Sequence, residues 1–70
     1  MHQYYIIDTV KNRRDVLHIT QEYLAELSGV SLRTIKQIES GKGNPTVETL
    51  SKLADVLGME LTLVIKQLNP

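Results

Sequence analysis

Between Thr20 and Glu39 the chain reads T-Q-E-Y-L-A-E-L-S-G-V-S-L-R-T-I-K-Q-I-E. This spacing predicts two short amphipathic helices joined by a tight turn, a pairing that few folds accommodate. Thr20 is placed to cap the first helix, with Glu22 in its first turn, where an acidic side chain meets the positive helix end. Leu24, Ala25 and Leu27 form its inward stripe, with Tyr23 beside it, and the small Ala25 lets the next helix cross closely. Ser28-Gly29-Val30-Ser31 is the turn. Gly29 supplies a left-handed residue, Val30 plugs the gap between the helices and Ser31 caps the second helix. There Ile35 and Ile38 face inward, while Leu32, Arg33, Lys36 and Gln37 face out.

The flanking segments supply the scaffold. Residues 1–5 read as a tail with two tyrosines. From Ile6 to Leu17 the apolar residues Ile6, Val10 and Leu17, with Ile7 nearby, fit helical spacing, and Lys11, Asn12, Arg13 and Asp15 point outward. Ser40-Gly41-Lys42-Gly43-Asn44-Pro45 breaks the helix that precedes it. Thr46 caps a further helix with Val47, Leu50, Leu53, Ala54 and Leu57 inward, and Gly58 ends it.

The period then changes. In M-E-L-T-L-V-I-K, Met59, Leu61, Leu63 and Ile65 alternate with Glu60, Thr62, Val64 and Lys66, a strand pattern. A lone strand exposes unpaired backbone groups and needs a partner. The simplest partner is the same strand of a second copy across a two-fold axis, with Met59, Leu61, Leu63, Val64 and Ile65 at the interface. The alternative is an internal ribbon with Tyr4–Ile7.

Seventy residues make one domain near the lower size limit for independent folding, and without cysteine no disulfide or thiolate metal site can reinforce it. No apolar run approaches the roughly 20 residues that span a bilayer, and the N-terminal patch lacks a signal peptide's form. A cytoplasmic protein is expected. The formal net charge is zero, unlike many basic DNA binders. Its distribution is uneven, however: Arg33, Lys36 and Lys42 cluster where Glu39 is the only acid from Ser31 to Gly43. A neutral protein can carry one basic face.

The chemistry of that face suits duplex DNA. Ser31, Leu32, Arg33, Lys36 and Gln37 are the candidate base contacts. Arginine can donate two hydrogen bonds to guanine, glutamine can pair with adenine, and leucine can touch a thymine methyl. Thr34, Ser40, Lys42, Gly43 and Asn44 are candidate phosphate contacts, which give affinity and register without sequence information. Gly41-Lys42-Gly43 is not a nucleotide loop, because the upstream glycine and strand are missing. His2 and His18 are isolated, with no metal-ligand spacing. No nucleophile–base constellation occurs, so neither an enzyme nor a cofactor is expected.

Taken together, T-Q-x-x-L-A-x-x-x-G-V-S-x-x-T-I-x-x-I-E-x-G-K followed by N-P-T-V-x-T-L-x-K-L-A-x-x-L-G resembles the Cro/cI-type (Xre) helix-turn-helix family. The resemblance covers roughly Ile6 to Gly58. It implies a mainly α, lambda-repressor-like bundle of four helices, with the helix-turn-helix at 20–39 inside a DNA-binding domain at 6–58. It also implies a phosphate contact at Gln21 and a partly buried structural ion pair between Arg14 and Glu39. Family repressors often carry glutamine where Leu32 stands, and they usually finish with a fifth helix. Here residues 59–70 replace that helix with a strand and tail, an ending similar to HipB-type antitoxins. The resemblance thus implies a homodimeric repressor on a pseudo-palindromic operator of double-stranded DNA, autoregulating as the antitoxin of a cognate toxin. A second reading stays open, in which the fold is a protein-interaction module that neutralises a toxin and DNA binding is secondary or lost.

Overall fold

The computed structural model describes residues 3–66. Four helices follow one another: α1 (Gln3–Val16), α2 (Gln21–Ser28), α3 (Leu32–Glu39) and α4 (Val47–Val56). α2 packs on both α3 and α4, and α1 packs on α3. Leu24, Ile35, Leu53 and Leu57 lose all solvent exposure and form the centre, joined by Val10, Val30 and Ile38. One or two side chains from each helix suffice because the elements are short and mutually crossed.

Local chemistry fixes where the helices begin. The Thr20 hydroxyl accepts from the Tyr23 N–H at 3.0 Å, Ser31 from Thr34 N–H at 3.1 Å, and Thr46 from Thr49 N–H at 3.1 Å. Each satisfies an amide that the first helical turn leaves without a partner. The expected caps and the turn at Gly29 are therefore in place, and the Gly29 N–H closes α2 on the Ala25 carbonyl. α1 ends differently. His18 takes the left-handed conformation (φ 56°), with its N–H on the Asp15 carbonyl and the Ile19 N–H on the Arg14 carbonyl. That double bond is the Schellman closure, made here without the usual glycine.

Several expectations fail, each for a physical reason. Residues 3–5 are helical rather than a tail, because α1 extends to Gln3. Tyr4–Ile7 therefore lies inside α1 and cannot form a ribbon with the C-terminal segment. Leu17 falls past the end of α1 and is 37% exposed, leaving Ile7 and Val10 as the inward residues. Leu27 (49% exposed) and Val47 (73% exposed) sit at helix positions that no neighbouring element covers. Arg13 does not point outward: it is half-buried and its Nε donates to the Leu57 carbonyl at 2.8 Å. It thereby caps the end of α4, where a cation is favourable.

After Gly58 the chain leaves the bundle. Residues 59–66 are exposed, and among the described residues no strand ladder forms. Leu63, Val64 and Ile65 are 90%, 83% and 96% exposed. Residues 67–70 of the expected tail lie outside the described residues.

Candidate nucleic-acid interface

α3 is held from behind and open in front. Ile35 and Ile38 point into the core, and Glu39 is buried at the helix end. On the opposite side Arg33, Lys36 and Gln37 are exposed. Together with Leu32, Ser40 and Lys42 they line one open concave surface. Gly43 lies close behind Gln37, and Asn44 is exposed in the same loop. The structure thus gathers three cationic side chains and one amide on a single face.

Not every expected member is equally available. The Ser31 hydroxyl donates to Thr34 Oγ1 at 2.8 Å while accepting the Thr34 N–H, so its one proton is committed to the cap. Thr34 is half-buried, and its hydroxyl keeps a proton to donate. Ser40 Oγ donates to the Gln37 carbonyl at 3.0 Å and ties down the end of α3. Leu32 is half-buried at the first helical position.

Behind this face lies a polar network. Arg14 Nε donates to Glu39 Oε2 at 2.8 Å, Arg14 Nη2 to Glu39 Oε1 at 2.9 Å, and Arg14 Nη1 to the Ile19 carbonyl at 3.0 Å. Two parallel bonds between a planar guanidinium and a carboxylate fix orientation as well as distance. The side chains are 16% and 5% exposed. The hydrogen bond to Glu39 raises the Arg14 pKa above its already high ordinary value, with desolvation opposing. A cation stabilised in this way stays charged as pH rises, so alkaline conditions short of its titration leave the pair intact.

Sequence reasoning missed a third member. Gln21 Nε2 donates to Glu39 Oε1 at 3.0 Å, which couples the start of α2 to the end of α3. An amide nitrogen has two protons, so one N–H of Gln21 remains after this bond is made. A glutamine three residues before the helical apolar stripe that begins at Leu24 gave no hint of a partner 18 positions away.

The helix-turn-helix family pattern matches residues 10–64, which include all of this face and the network behind it. The chain belongs to the helix-turn-helix family. A cryptic-phage CTXphi transcriptional repressor, RstR, of Vibrio cholerae is 39% identical over 56 residues, covering 80% of this chain and 50% of the repressor. An HTH-type transcriptional regulator of Haemophilus influenzae is 42% identical over 59 residues, covering 84% of this chain and 60% of that protein. One from Methanocaldococcus jannaschii is 38% identical over 52 residues, covering 74% and 79%. The helix-turn-helix chain spans only half to three-fifths of the length of the first two relatives. No described helix is long and apolar enough to cross a membrane, and no described group of three or more His, Cys, Asp or Glu could hold a metal ion.

Proposed function

We propose that this helix-turn-helix chain is a sequence-specific, double-stranded DNA-binding transcriptional repressor. One observation carries the reading: Arg33, Lys36, Gln37 and Lys42 share a single open surface on and beside a helix whose other side is buried. A rigid helix with such a face enters a major groove, reading guanine with Arg33 and adenine with Gln37. Lys36 reaches a base edge or a phosphate. Leu32 completes the base-reading set, while Ser31, short of its proton, can only accept there. Gln21 turns its remaining N–H to the backbone, and Thr34, Lys42, Gly43 and Asn44 face phosphates, while Ser40, its proton held by the Gln37 carbonyl, steadies the loop beside them.

The exposed apolar arm, Met59 to Ile65, supports a homodimer in which two such arms pair. Two recognition helices about 34 Å apart then meet successive major grooves of a pseudo-palindromic operator. Repression follows by occlusion of the promoter. The arm favours an autorepressor that is also the antitoxin of a toxin–antitoxin operon. The same arm, with the zero net charge, favours a second reading in which toxin neutralisation is primary and DNA binding is secondary or lost.

An electrophoretic mobility shift with genomic and randomised duplexes separates the two readings. The first expects a shifted complex whose affinity falls steeply with added salt. It also expects Arg33→Ala to weaken binding by about 1–3 kcal/mol and to relax preference at one base pair. If no duplex shifts even at low salt while a neighbouring gene product co-purifies, DNA repression is wrong. If Arg33→Ala leaves site and affinity unchanged, the assigned face is wrong.

A further inference from the structure

Of the side chains lining the concave surface, Leu32 alone has no hydrogen-bonding group. It is the first residue of α3, at the end of a recognition helix that lies nearest the base edges in a groove. The Ser31 proton is spent on Thr34 Oγ1, and the Arg33 and Lys36 side chains are exposed farther along the face. Leu32 is only partly exposed, and the protein that covers the rest of it limits its freedom to swing aside. The result is a constrained apolar projection on an otherwise polar face.

The major-groove edges of the four base pairs differ in one apolar feature, the 5-methyl group of thymine. Against any other edge a leucine strips water from a donor or acceptor and returns no hydrogen bond. Resting on the DNA-binding reading above, we infer that Leu32 reads a pyrimidine 5-methyl group at one position in each operator half-site. Thymine is the ordinary bearer of that group. The contact equally favours 5-methylcytosine over cytosine, so methylation at that position strengthens binding.

The test needs no variant at first. A duplex is selected from a randomised library with the full chain, and each thymine is then replaced in turn by deoxyuridine, which keeps every hydrogen bond and removes only the methyl. The expected result is a loss of about fourfold at one symmetric position per half-site, the effect of one buried methyl group, or roughly fifteenfold when both half-sites are changed. Every other thymine should be insensitive or less so. In Leu32→Ala, with its helical content checked by circular dichroism, the uracil penalty at that position should vanish. Equal affinity of the thymine and uracil duplexes at every position overturns the inference while leaving DNA binding intact. Persistence of the penalty in a folded Leu32→Ala overturns it as well. Failure to enrich any duplex at low salt overturns the DNA-binding reading on which it rests.

Discussion

The helix-turn-helix at 20–39 and the arm at 59–66 are both short, yet they solve the backbone problem in opposite ways. In the first, each helix start is capped by a side chain, each end is closed by a left-handed residue or a loop bond, and Arg14, Gln21 and Glu39 satisfy one another. Among the described residues no buried side-chain polar atom lacks a hydrogen bond. The arm leaves its strand-forming groups and apolar side chains to solvent. In the function proposed above, the base-reading surface is completed within one chain, whereas the arm leaves its completion to a second copy.

Breaking the internal network should produce the largest effect. Glu39→Ala leaves the Arg14 guanidinium buried without its carboxylate and should cost about 3–5 kcal/mol, read by urea denaturation. For a chain of this size that approaches the whole stability. Replacing both partners with apolar residues, Arg14→Met with Glu39→Leu, should cost less than either single loss. A Glu39→Ala protein as stable as the parent would show that the network does not anchor α3.

A smaller effect, of opposite sign, is expected at the end of α1. His18 occupies a left-handed conformation that disfavours side chains by roughly 1–2 kcal/mol, partly offset by glycine's greater freedom in the unfolded chain. His18→Gly should therefore raise stability by about 0.5 kcal/mol and the melting temperature by roughly 2–4 °C. A lower melting temperature would mean that the imidazole contributes something the backbone geometry does not reveal.

The arm should show the smallest effect on folding and the clearest on assembly. Leu63→Lys with Ile65→Lys alters two side chains that are almost fully exposed, so bundle stability at fixed concentration below dimerisation should change by less than about 0.5 kcal/mol. Sedimentation should nevertheless show the mass fall from two chains to one. A double variant that still sediments as two chains would place the interface elsewhere and remove the contrast between the regions.

What the sequence revealed divides along the same line. Thr20, Ser31 and Thr46 were legible as caps because a hydroxyl reaching an amide three residues on is a local rule. Ile35 and Ile38 were legible because a helix that short has only one inward stripe. Leu27 and Val47 were not, since an apolar residue at the right period is buried only if another element arrives to cover it. Arg13 read as exposed because its partner, the Leu57 carbonyl, lies 44 residues away. The start of α1 was hidden as well, because no Ser, Thr, Asp or Asn precedes Ile6 in the sequence and two tyrosines follow Gln3. Of the site, the outward composition of α3 was readable, whereas the commitment of Ser31 and the coupling of Gln21 to Glu39 emerged only in three dimensions.

The division of α3 into two non-overlapping sets of side chains has a historical consequence. Ile35, Ile38 and Glu39 answer to the interior, while Arg33, Lys36 and Gln37 answer only to whatever the helix meets. Selection can rewrite the second set without disturbing the first, so lineages carrying this scaffold can diverge in target while their folding remains under separate constraint.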